Sequence, residues 1–333
     1  MSTLRNAVTA ALPVEGHLPG FGGATGWLNS PPLAEDDLRN NVVLVDFWTY
    51  TCINWLRTLG YVRAWAEKYE DHGLVVVGVH TPEFPFEHDV ENVRMAARDM
   101  NVEYPIALDN DYAVWRAFSN HFWPAVYIAD AQGRIRHHQF GEGGYEECER
   151  IIQQLLRDAG RDGGPEHLVA VTDEGLEAQA DWRNLDSLET YLGYERARSF
   201  ASVGEPALGT PRIYTAPEHL RLNQWALSGH WTVERGASVL NRADGRIACR
   251  FHARDLHLVI GLRGPGTSVA FRVLIDGEPP GDAHGLDIDE HGDGTVGQQR
   301  LFQLVRQRRQ IVDRTLEITF LAPGVEAYAF TFG

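Results

Sequence analysis

A chain of 333 residues is too long for one ordinary hydrophobic core and long enough for two. With 44% hydrophobic and 23% charged residues it has the composition of a folded globular protein, which excludes a disordered or fibrous one. The 46 acidic residues against 30 basic ones give a net charge of −16, a field that repels a phosphate backbone, so no nucleic-acid partner is expected.

In chain order, the run 42–48 (Val-Val-Leu-Val-Asp-Phe-Trp) is almost wholly apolar, as in a strand buried on both faces. Residues 52–69 place Leu56, Leu59, Val62, Ala66 and Tyr69 at helical spacing, and Gly73 ends that segment. A second buried strand is predicted over 74–79, a helix over 89–100, a hairpin over 125–129 and 134–138, and a helix over 144–159. Such alternation predicts an α/β domain over 1–160. Residues 161–190, which open on Gly, Asp and Pro, read as a linker. From 191 to 333 short alternating strands (248–252, 256–260, 269–275, 301–305, 316–320 and 327–332) predict an all-β jelly-roll or sandwich domain.

No run approaches the roughly 20 apolar residues that span a bilayer, so no membrane partner is expected. Residues 1–12 lack a basic leader and apolar run, so export is not expected. Cys52, Cys148 and Cys249 are too scattered for a disulfide framework, which makes a reducing cytoplasm the expected location. Cys148 on a predicted helix and Cys249 on a predicted strand read as packed thiols.

Cys52 differs from them. The buried strand delivers it to the first turn of a helix, where unpaired N–H groups and the helix dipole stabilise a thiolate. The run 47–55 (Phe-Trp-Thr-Tyr-Thr-Cys-Ile-Asn-Trp) resembles the F-W-x-x-x-C-x-x-C active-site segment of thioredoxin-like proteins of the TlpA and ResA type. His80 to Glu83 fall where that family places an acidic residue beside its cysteines, and Trp123-Pro124 resembles its cis-proline loop. Residues 223–229 and 324–330 extend the resemblance to the soluble C-terminal part of DipZ-type proteins, which couple such a domain to a carbohydrate-binding-module-like β-sandwich.

There are two departures: Trp55 stands in place of the second cysteine, and Gly60 where relatives have proline. Without a resolving thiol the ordinary dithiol cycle is lost. The resemblance therefore implies a thioredoxin-fold oxidoreductase working through one cysteine, by thiol–disulfide exchange or peroxide reduction, with a glutathione-like external thiol as reductant. It implies Cys52 as nucleophile and Glu83 as proton-transfer group. Trp55, Thr49, Tyr50, His80, Trp123 and Pro124 would then bind a small-molecule or thiol substrate. Thr49 and Cys52 also share the T-x-x-C spacing of peroxiredoxins, though Val45 stands where their proline belongs.

Two other readings stay open: a scaffold repurposed for non-redox chemistry in a pocket lined by Trp55 at the domain interface, and a non-catalytic binding protein whose sandwich contacts glycan or protein. Trp225 and Trp231 read as sugar-stacking platforms or as core. No cofactor or metal is expected: His137 and His138 point to opposite faces of a strand, and 287–298 lacks the His291-to-carboxylate and Gln298-to-glutamate identities of a calcium loop. The Arg306–Arg309 cluster reads as solvated surface.

Overall fold

The computed structural model describes residues 12–172, 174–204, 208–264 and 268–333. Apart from Leu12, the stretch read for a leader lies outside the described residues. The chain divides into two units, one comprising the described residues of Met1–Glu83 and Glu87–Thr172, the other those of Phe84–Phe86 and Asp173–Gly333.

The first unit is a seven-stranded mixed sheet flanked by helices. Its strands are β1 (Gly16–His17), β2 (Gly26–Leu28), β3 (Val42–Trp48), β4 (Leu74–His80), β5 (Ile106–Leu108), β6 (Ala125–Ala129) and β7 (Arg134–Phe140), in the order β1-β7-β6-β3-β4-β5-β2. β3 and β4 run parallel, with Asp46 opposite Gly78, while β6 joins β3 antiparallel. Every residue of β3 is buried, as the apolar run requires of a strand covered on both faces. The helices are α1 (Glu35–Leu38), α2 (Ile53–Tyr69), α3 (Val90–Asp99), α4 (Ala113–Ala117) and α5 (Tyr145–Asp158). This is the α/β thioredoxin-like arrangement, and β3 feeds directly into α2 so that Cys52 is the residue that caps the helix.

The second unit is all-β. It contains β8 (Thr190–Tyr191), β9 (Arg212–Tyr214), β10 (Trp225–Val233), β11 (Ser238–Leu240), β12 (Gly245–Phe251), β13 (Asp255–Leu262), β14 (Val269–Ile275), β15 (Asp293–Val296), β16 (Arg300–Arg306), β17 (Arg314–Phe320) and β18 (Val325–Phe332). These strands form one curled sheet path that folds around a single core of Trp225, Trp231, Phe251, Phe271, Phe302 and Phe320 with their aliphatic neighbours. β10 makes the fold-over possible: residues 225–228 pair with β12, and residues 229–233 pair with β9 and β11. The change falls at Gly229, whose φ of 95° lies in the left-handed region and whose missing Cβ leaves room for the backbone of Gly245, 3.0 Å away.

Trp225 and Trp231 are wholly buried, and their indole N–H groups donate to the carbonyls of Arg198 and Ser228, so neither is a sugar-stacking platform. In the acidic loop near 290, Asp289 accepts from the backbone of His291 and Asp293 while Asp293 pairs with Arg272, the hydrogen bonding of a hairpin turn. Arg306 and Arg309 are held by Asp255 and Asp282.

Gly229→Ala should destabilise the second unit by about 1–2 kcal/mol, the cost of left-handed backbone for a residue with a Cβ. The check is the urea midpoint of that unit by fluorescence of Trp225 and Trp231; an unchanged midpoint would mean the strand does not depend on this bend.

Candidate active site

Cys52 is half-buried and caps α2 in extended conformation, its N–H bonded to the carbonyl of Thr49 at 3.2 Å and its own carbonyl accepting from Leu56 at 3.0 Å. Its thiol donates to the carbonyl of Trp123 at 3.8 Å, and the Trp123–Pro124 peptide bond is cis. Trp123 is half-buried, packs on Trp115 with ring centroids 4.3 Å apart, and donates through its indole to the carbonyl of Thr81 at 3.1 Å. The structure thus brings Cys52, Trp123 and Pro124 together from the β3–α2 junction and the segment before β6.

Trp55 does something other than line a pocket. Its side chain is 0% exposed, stacks on Trp48 at 4.3 Å and donates its indole N–H to Asp46 Oδ2 at 3.0 Å. The reason is local: Asp46 lies in the middle of an otherwise apolar strand, and its carboxyl needs donors. Tyr104 supplies a second at 3.3 Å. Gly78 on the neighbouring strand makes room, since a Cβ there would sit 2.9 Å from both Trp48 Nε1 and Tyr104 Cε2. Burial pushes the Asp46 carboxyl up to about 7, against the opposing hydrogen bonds from Trp55 and Tyr104.

Thr49, Tyr50 and His80 are enclosed too, so the expectation that they bind substrate is corrected along with that for Trp55: enclosed side chains present no contact surface. His80 is packed edge-on to Trp48 at 4.8 Å and face-on to Tyr50 at 5.8 Å, and neither ring nitrogen has a hydrogen-bond partner among the described residues. Burial, followed by the charge of His88, lowers its pKa to about 3, leaving a neutral ring.

Glu83, the acid expected beside the cysteine, is half-buried and enters the network through its backbone N–H, which donates to Glu87 Oε2 at 2.6 Å. Glu87 is wholly buried, and its Oε1 accepts from the hydroxyl of Thr51, the residue before Cys52, also at 2.6 Å. Neither Glu87 nor Asp46 belongs to the motif that marks the site in the sequence. A carboxylate inside an apolar strand was the available signal for Asp46; nothing in the spacing separates Glu87 from Glu83. Arg57, five residues past Cys52, is buried and pairs at 2.9 Å with Glu142 from the loop after β7, tying α2 to that loop. The other two thiols are closed off: burial pushes both Cys148 and Cys249 up to about 12, and none of the three cysteines is joined in a disulfide. His137 and His138 part as the strand dictates, towards Cys148 and Glu15 respectively.

Sheet order, a cysteine capping the helix after the central strand and a cis-proline loop facing that sulfur define a thioredoxin-like protein. The AhpC/TSA family matches residues 28–138, and a thioredoxin-like C-terminal domain family matches 187–333. Thiol-disulfide oxidoreductase YkuV of Bacillus subtilis is 30% identical over 42% of this chain and 95% of its own length. Protein DipZ of Mycobacterium bovis is 36% identical over 99% of this chain and 45% of its own, so the chain spans about half the length of that relative. Among solved structures, a thioredoxin-like protein in its oxidised form is similar at 28% identity with a TM-score of 0.41, covering 44% of this chain and 99% of that one. The chain belongs to the thioredoxin-like thiol-disulfide oxidoreductase family, with an all-β region following the thioredoxin-like part.

The raised pKa of Asp46 has a signed consequence. Between 3.8 and about 7 the folded state holds a proton that the unfolded state has lost, so this group's stabilisation is full below pH 4 and declines as pH rises towards 7, by at most about 1.4 kcal/mol per pH unit. His80 acts in the opposite sense, losing stability as pH falls from 6.5 towards 3. Asp46→Asn removes only the first effect. The urea-unfolding free energy of the wild type minus that of the variant should therefore fall steadily from about pH 4.5 to about pH 7.5. A flat difference would show that Asp46 titrates at its ordinary value.

Proposed function

We propose that this chain is a thiol oxidoreductase that works through Cys52 alone. The Cys52 thiolate attacks one sulfur of a substrate disulfide, forming a mixed disulfide and expelling the other sulfur as a thiolate. An external glutathione-like thiolate then attacks the mixed disulfide, restores the Cys52 thiolate and leaves with the substrate sulfur as a new disulfide. The observation that carries this reading is Trp55: a wholly buried indole bound to Asp46 occupies the place where a second thiol would resolve the intermediate.

Three further features support it. Cys52 is the one cysteine of the three that is not fully buried, it stands at the N-terminus of a 17-residue helix whose dipole favours a thiolate, and it faces the carbonyl before a cis proline. The resemblance to a thiol-disulfide oxidoreductase over nearly that protein's whole length favours a disulfide substrate over a peroxide. We read the buried Glu87 and Asp46 as part of the site's framework, and assign Glu83 no proton transfer.

Intact-protein mass spectrometry after exposure to oxidised glutathione should find one glutathione on the wild type, removable by excess reduced glutathione, and none on Cys52→Ser. Trp55→Cys should shorten the life of the adduct by supplying an internal thiol. Wild-type protein that takes up no glutathione but gains oxygen on Cys52 from peroxide would replace disulfide exchange by peroxide reduction. A Cys52 inert to both would overturn the redox reading.

A further inference from the structure

Glu87 is a fully buried carboxylate that no part of the mechanism above uses, and it lies next to the reactive residue by an unexpected route. It sits in the short turn Pro85–His88 after β4, four residues beyond the acid that the family pattern points to. Burying a carboxylate is costly unless its oxygens are bonded, and both of these are: Oε1 by the Thr51 hydroxyl and Oε2 by the Glu83 N–H, each at 2.6 Å. The hydroxyl contact has the length of a charge-assisted O–H···O bond, and in both contacts a carboxyl oxygen of Glu87 is the acceptor.

The two bonds reach different segments. One ends on the segment that leaves β4, the other on the residue joined by a peptide bond to Cys52. We propose that Glu87 is a positioning residue: through the Thr51 hydroxyl it fixes the turn before Cys52 and so sets the direction from which Sγ meets an incoming disulfide. The inference rests on the single-cysteine exchange proposed above. It predicts that direction matters, because attack on a disulfide requires the nucleophile in line with the breaking S–S bond, whereas alkylation by a small reagent tolerates many approaches.

Two reagents separate these demands. Ellman's reagent is an activated disulfide that any accessible thiolate attacks, so its rate is readable even if oxidised glutathione proves to be no substrate. Iodoacetamide reports the reactivity of the thiol with little regard to direction. Thr51→Val removes the hydroxyl and leaves the carboxylate in place, and Glu87→Gln removes the charge and keeps the shape. Each should slow the reaction of Cys52 with Ellman's reagent about tenfold while changing its alkylation by iodoacetamide less than about twofold. Thr51→Ser should restore the disulfide rate, and the Thr51→Val/Glu87→Gln double variant should be no slower than Thr51→Val alone, because Glu87→Gln weakens the bond that Thr51→Val has already removed.

Near-UV circular dichroism verifies that each variant is folded; should Glu87→Gln unfold, Thr51→Val with its serine rescue decides. Equal slowing of both reagents would mean that Glu87 acts on thiol ionisation, and multiplying effects in the double variant would mean two separate roles. Either result, or a wild-type disulfide rate in Thr51→Val, overturns the proposal. Failure of the glutathione exchange itself leaves these comparisons intact, so the two ideas fail separately.

Discussion

The structure around Cys52 follows from one costly fact, a carboxyl group buried in the middle of an apolar central strand. Asp46 is closed off from solvent, and an unbonded buried polar group costs on the order of 1–3 kcal/mol. The chain meets that demand at one carboxyl oxygen, Oδ2, with aromatic donors, Trp55 from the first turn of α2 and Tyr104 from the segment ahead of β5. Trp48 stacks against the indole and Gly78 clears the space that Trp48 and Tyr104 occupy. Each of these residues is intelligible once Asp46 is in place, and none of them is explained by hydrophobic packing alone.

The same arrangement underlies the chemistry proposed for the site. A dithiol site needs a second sulfur one helical turn from the first, and here that volume holds an indole committed to a hydrogen bond. Cys148 and Cys249 offer no substitute, since burial holds both thiols protonated far above neutral pH and neither is at the surface. Trp123 and the cis Pro124 stand beside Cys52, the Trp123 carbonyl facing its sulfur.

Much of the architecture was legible in the sequence because it is written in periodicity. The run 42–48 and the helical spacing after Cys52 place β3 and α2 within a residue of their observed bounds, and the hairpin of β6 and β7 follows from its turn residues. The long strand β10 was less visible: its two halves pair with different neighbours across Gly229, and its tryptophans could be read as platforms or as core. The side-chain network at the site was not legible for a related reason. Spacing fixes which face a residue occupies but not which of two glutamates four positions apart turns inward, so the pattern singles out Glu83 while Glu87 is the one wholly buried and bonded to Thr51. A tryptophan beside a reactive thiol likewise serves equally well as pocket wall or plug until the donor requirement of Asp46 is weighed.

Those two buried acids bond residues on either side of Cys52 along the chain. The residue before it, Thr51, ends on Glu87, and the residue three after it, Trp55, ends on Asp46. Cys52 therefore lies between two residues whose side chains are each anchored to a carboxyl inside the protein. In a dithiol cycle the first cysteine must exchange partners with its neighbour, and such a rigid mounting would oppose the movement. In the single-cysteine exchange proposed above there is no internal partner to reach: turnover would rest on two bimolecular attacks along one S–S axis, and a sulfur held still would favour both.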